Sequence, residues 1–111
     1  MIDLQATPNE GSSIVITVQF KDVDGADFVP KTCVWSLTDT AGTVINARDR
    51  IAATPATATH DFVLFGADLL FAAGKERIFT VEGTYDSLYM ADQPFREEAK
   101  FTIGNTVRDP L

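Results

Sequence analysis

The sequence predicts an all-β chain, an antiparallel β-sandwich of about seven strands with at most one short helix. Three observations lead there. Apolar residues recur at every second position in successive runs, the period of strands that bury one face. Those runs are dominated by β-branched and aromatic residues, which suit a pleated, half-buried surface. Turn signals separate them about every 8–12 residues, the spacing of a sandwich. The 111 residues, 45% hydrophobic and 23% charged, match one ordinary globular domain and not a disordered chain. Residues 1–111 are therefore read as one sandwich with short arms at about 1–10 and 105–111.

The strands fall at 2–7, 13–20, 32–38, 43–46, 57–64, 77–85 and 95–103. In the second, Ile14, Ile16, Val18 and Phe20 share a face, and in the third Cys33, Trp35 and Leu37 point inward. His60, Phe62 and Leu64 line one side of the fifth. The sixth aligns Phe79, Val81, Gly83 and Tyr85, and the last buries Ala99, Phe101 and Ile103. Between them, Asp22 to Gly25 and Asp39 to Gly42 each pair an Asp, which accepts backbone hydrogen bonds, with a Gly suited to positive φ. Pro30 stands before the third strand, where a missing N–H does no harm. The stretch 53–59 is small and polar, and reads as a loop or ragged edge. The clearest helical candidate is GADLLFAAG at 66–74, with Asp68 as a cap before a Gly stop.

Trp35 stands on the third strand, where immunoglobulin-like domains place their core tryptophan. Cys33 is the only cysteine, so the immunoglobulin disulfide is absent. The expectation is an immunoglobulin-like or fibronectin-III-like sandwich without a disulfide, with Trp35 as its core anchor.

The F-K-D-x-D-G motif at 20–25, Pro30, W-S-L-T-D-x-x-G at 35–42 and E-x-x-x-F-T-I-x-N at 97–105 carry a more particular likeness. Over residues 13–105 the chain resembles the small immunoglobulin-like modules of tailed bacteriophages, which serve as decoration, baseplate or appendage components of virions. The resemblance implies a non-enzymatic structural protein of the virion, made in the bacterial host cytoplasm. A capsid decoration or cement role on the head lattice is preferred. A neck, tail or baseplate component is the nearest alternative, followed by an adhesive module binding a host glycan or protein. The family brings no catalytic residues with it.

Composition narrows the partners. A formal charge of -7 repels nucleic-acid phosphates and anionic membrane surfaces. No apolar run reaches the roughly 18–20 residues that cross a bilayer, and the first ten residues lack a signal peptide's basic start and apolar middle. One Cys and one His cannot build a zinc cage. No cofactor, metal site or enzyme activity is expected. Asp22, Asp24 and Asp27 resemble a calcium loop only faintly, since Ala26 and Cys33 occupy positions that would need ligands. His60 reads as a structural or rim histidine and Cys33 as a small core residue. Arg48, Asp49 and Arg50 read as a solvated patch, and Arg96, Glu97 and Glu98 as charges that discourage edge pairing.

The most informative surface candidate is YDSLYMADQPF, residues 85–95, joining the last two long strands. It places Tyr85, Leu88, Tyr89, Met90 and Phe95 in a connection that should otherwise be polar. Aromatic residues and Met are enriched at interface centres, so these five are the candidate docking residues. The other reading is that they close one end of the core. The apolar stretch 64–71 is expected to close the opposite end, and the two arms are candidates to reach neighbouring subunits. A small symmetric homo-oligomer is the expected assembly.

Overall fold

The structure, a computed structural model, describes residues 2–4, 12–69 and 76–103. Among these residues lie seven strands: β1 (Ile2–Leu4), β2 (Ser13–Gln19), β3 (Thr32–Thr38), β4 (Ile51–Ala52), β5 (Thr59–Phe65), β6 (Glu76–Tyr85) and β7 (Gln93–Thr102). They form two antiparallel sheets with orders β1-β2-β5 and β4-β3-β6-β7. The two sheets make the antiparallel β-sandwich expected from the periodicity, with the short fourth strand on β3 and not on β5.

The alternation of side chains fills the space between the sheets. Ile14, Ile16, Val18, Phe62 and Leu64 from one sheet meet Cys33, Trp35, Leu37, Phe79, Val81 and Phe101 from the other. Trp35 lies edge-on to Phe62, with ring centroids 6.3 Å apart, and tilted against Phe79 at 5.8 Å. Each large apolar side chain buried this way contributes roughly 1.5–3 kcal/mol. The single histidine, His60, is half-buried and sits edge-on to Phe62 at 4.6 Å.

Both Asp–Gly turns form as their chemistry dictates. The Asp22 carboxylate accepts from the N–H groups of Asp24 (2.8 Å) and Ala26 (2.9 Å), and Gly25 takes a φ of 82°. Asp39 accepts from Ala41 and Thr43, both at 2.9 Å, beside Gly42 at φ 89°. The Asp22 Oδ1 is thereby committed to its own turn.

Several expected elements differ. Residues 43–46 form no strand; only Val44 bridges to Thr38, and the fourth strand is Ile51–Ala52. Asn46 and Ala47 take left-handed φ values of 53° and 57°, which break an extended run. The loop still covers the edge of β3, since Leu37 N–H donates to the Arg48 carbonyl and Ile45 N–H donates to that of Leu37, each at 2.9 Å. In the described part of the helical candidate, Gly66–Leu69 form one 3-10 turn. Its remainder at 70–74 falls outside the described residues, as do the rest of the first strand beyond Leu4 and both expected arms apart from β1. Arg96, Glu97 and Glu98 lie within β7, which begins at Gln93, two residues earlier than expected.

Candidate functional site

The β6–β7 hairpin keeps its two ten-residue strands in register from Glu76↔Thr102 to Tyr85↔Gln93, so its seven-residue connection, 86–92, projects from one end of the sandwich. Local side chains hold that connection. The Ser87 hydroxyl oxygen accepts from the N–H groups of Tyr89 (3.1 Å) and Met90 (3.2 Å), while Ser87 N–H donates to the Met90 carbonyl at 3.0 Å. At the root, Asp86 accepts from the Asp92 N–H at 3.1 Å. Lys31 clamps both acids, 2.6 Å from Asp92 and 3.2 Å from Asp86. The Asp92 contact, followed by that of Asp86, raises the Lys31 pKa above its ordinary value. The Asp92 N–H and then Lys31 hold Asp86 below the usual carboxylate value.

The same loop is tied to the β2–β3 connection. The Tyr89 hydroxyl donates to Asp24 at 2.8 Å, and that bond raises the phenol's pKa. Lys21 and Asp27 pair at the base of the turn that carries Asp24. Three side chains then reach solvent on this frame: Leu88 is 96% exposed, Tyr89 67% and Met90 51%. Val23, next to Asp24, is also strongly exposed. Asp22, Asp24 and Asp86 give this apolar tip an acidic surround.

Beneath the tip lies an aromatic floor. Tyr85 is buried and stacks on Phe28 with centroids 3.8 Å apart. Phe95 is half-buried, 5.3 Å from Phe28 and 5.5 Å from Phe20. Of the five candidate docking residues, Leu88, Tyr89 and Met90 therefore reach the surface, whereas Tyr85 and Phe95 close the end of the core. The reason is strand parity: Tyr85 and Phe95 fall on the inward-facing positions of β6 and β7. A cavity of about 220 Å³ opens beside this floor, lined by Lys21, Val23, Phe28, Gln93 and Phe95 among others. The amide oxygen of Gln93 is buried with no hydrogen-bond partner.

A second polar centre sits at the opposite end, and the residue pattern did not reveal it. Asp68 is fully buried in the 3-10 turn. Its carboxylate accepts from Arg48 Nε (2.8 Å), Arg48 Nη2 (3.3 Å), Asn46 Nδ2 (2.9 Å) and the Phe65 N–H (3.0 Å). Burial alone pushes this carboxyl's pKa up, but the Arg48, Asn46 and Phe65 bonds together outweigh it and hold it below the ordinary value. Arg48 is thus a core-flanking ion-pair partner and not the solvated charge expected. Its guanidinium carbon lies 5.6 Å from the Trp35 ring and 5.7 Å from that of Phe65. Arg77 is also wholly buried, donating from Nε to the Asp68 carbonyl at 2.9 Å. With both carboxylate oxygens engaged, this centre ties the 45–50 loop to the sandwich.

Cys33 is buried and free, and burial pushes its thiol up to about 11. Among the described residues, no three His, Cys, Asp or Glu side chains converge as a metal site. Comparison with known proteins returns no matching family model, no matching curated sequence and no matching solved structure.

Proposed function

We propose that the chain is a non-enzymatic docking module of a tailed-phage virion, a capsid decoration subunit that grips the head lattice through the 86–92 loop. One observation carries the docking reading: Leu88, Tyr89 and Met90 project on a loop whose backbone is held by the Ser87 and Asp86 side chains, with Lys31 clamping its acids and Asp24 holding the Tyr89 hydroxyl. An isolated domain gains nothing by exposing such side chains, whereas an interface does. A pinned loop also loses little conformational freedom when it binds, which favours affinity. The acidic surround favours a partner with basic groups around an apolar pocket. The virion assignment rests on the phage-module resemblance of residues 13–105. Repeated weak contacts from many lattice-bound copies suit a decoration role.

The test is co-sedimentation with purified phage heads and, separately, purified tails. The wild-type chain should pellet with heads, and Tyr89→Ala combined with Met90→Ala should weaken that binding at least about tenfold while leaving the far-ultraviolet dichroism unchanged. Pelleting with tails alone would move the subunit to the neck, tail or baseplate. Unchanged binding by the double variant would remove the loop from the interface, and deletion of the residues before Glu10 would then ask whether the arm docks instead.

A further inference from the structure

The two sheets treat their open edges differently. The outer edge of β3 is occupied by β4 and by backbone bonds from the 45–53 segment. The outer edge of β7 carries the devices that natural sheets use against unwanted pairing: Pro94, which lacks an N–H, the charged run Arg96, Glu97 and Glu98, and Lys100. The edge of β5 carries no Pro, Lys or Arg, and among the described residues no strand lies beside it. Its solvent face offers Val63, 50% exposed, and Phe65, 56% exposed.

The direction of its backbone groups can be worked out. Phe20 N–H donates to the Ala58 carbonyl and Gly66 N–H to that of Ser12. Even-numbered residues of β5 therefore turn toward β2, and the odd-numbered ones turn N–H and C=O to the open edge. Phe65 N–H is taken by Asp68. Asp61 and Val63 each present a donor and an acceptor, and Phe65 presents its carbonyl.

We propose that β5 pairs antiparallel with β5 of a second copy of this chain, with Val63 facing Val63 across the twofold axis, so that the two three-stranded sheets become one six-stranded sheet. In this register Val63 N–H and C=O bond reciprocally, and each Asp61 N–H meets the Phe65 carbonyl of the other copy, the only edge group that Phe65 has left. Asp61 of one copy then lies directly across from Phe65 of the other, whose ring carries the Arg48 guanidinium 5.7 Å away. Arg48 uses Nε and Nη2 on Asp68, which leaves Nη1. Asp61 uses Oδ1 on Thr17, which leaves Oδ2. The charges are complementary, and symmetry makes the pair twice. A register slipped by two residues, with Phe62 on the axis and Asp61 across from Val63, would instead bring the two Asp61 side chains into diagonal proximity. Val15 pairs with Val63 within each copy, so a row of four valines crosses the joint face.

Sedimentation of the full chain from about 1 to 300 µM should show a concentration-dependent dimer. Val63→Lys sets two ammonium groups side by side on the axis and should weaken dimerisation at least about tenfold; Val63 faces solvent, so the variant folds. Val63→Cys should give a disulfide-linked dimer under mild oxidation, whereas Thr59→Cys should not, because strands in this register bring only residue 63 opposite itself. Tyr89→Ala with Met90→Ala should leave the dimer intact, which separates this interface from the docking loop. A wild-type monomer at the highest concentration, a dimer indifferent to Val63→Lys, or equal crosslinking of the two cysteine variants would each overturn the proposal.

Discussion

Gly83 faces Cys33 across β3 and β6, and it has no room for a side chain. A Cβ there would lie 1.9 Å from the Thr32 carbonyl oxygen and 2.7 Å from its carbon. Backbone cannot swing aside as a side chain can, so Gly83→Ala should cost on the order of 3 kcal/mol, read as a lower free energy of urea unfolding. An unchanged midpoint would mean that the strands part freely. Cys33 invites a second measurement. Its thiol rises from about 9 to about 11 because burial disfavours the thiolate. A raised folded-state value leaves stability intact below pH 9 and removes it as the pH climbs toward 11, since the unfolded chain releases its proton first. Wild-type protein should therefore lose more stability than Cys33→Val between pH 8 and pH 11, and parallel losses in the two would show an exposed thiol. Arg77 shows how far a residue-level reading reaches. It shares the inward parity of Phe79 and Val81 on β6, so the alternation did mark its face. What accepts from that charge, the Asp68 carbonyl, belongs to a turn nine residues earlier, beyond the reach of a local pattern.

At the scale of elements, the long strands were legible because each carries its own period, and a one-residue slip would turn every apolar side chain to solvent. β3 matches its expected bounds, and β2, β5, β6 and β7 match within two residues. The 43–53 segment was not legible. Thr43 to Asn46 alternates like a strand, but the backbone turns left-handed at Asn46 and Ala47 so that Arg48 reaches Asp68. The selecting partner lies 20 residues away in sequence, beyond any local pattern. Asp68→Asn tests that dependence. Replacing the carboxylate leaves the Arg48 charge without its counterion, and the expected loss is about 2–4 kcal/mol at neutral pH. Because the Asp68 pKa is lowered on folding, the carboxylate's contribution is present above its unfolded value and fades as the pH falls through the folded one. The gap between wild type and variant should therefore narrow in acid, and a gap that is constant from pH 7 to pH 2 would refute the ion pair's role. The 86–92 loop and its flanks were half legible: their apolar excess was visible, but the division into exposed Leu88, Tyr89 and Met90, buried Tyr85 and half-buried Phe95 required the strand ends.

For the whole molecule, an antiparallel sandwich of about seven strands followed from pattern and turn chemistry, while its division into sheets of three and four and the join between distant segments did not. The proposed β5 pairing reverses strand direction between copies, so the two 86–92 loops of such a dimer would point to opposite ends. The pairing map also dictates the order of assembly. β6 and β7 meet across seven residues, whereas β2 must find β5 from Gln19↔Thr59 to Ser13↔Phe65, closing loops of roughly 40 to 50 residues. Loop closure entropy grows with length, so the local hairpin has the earlier claim on the transition state. Conservative truncations at Phe79 and Phe101 should slow refolding, with φ values near 0.5 or above, while Ile14→Val should mainly speed unfolding. The reverse ranking would place the nucleus in the three-stranded sheet. If the hairpin leads, the 86–92 loop is ordered before the edge of β5, so the proposed dock would form before the proposed dimer seam.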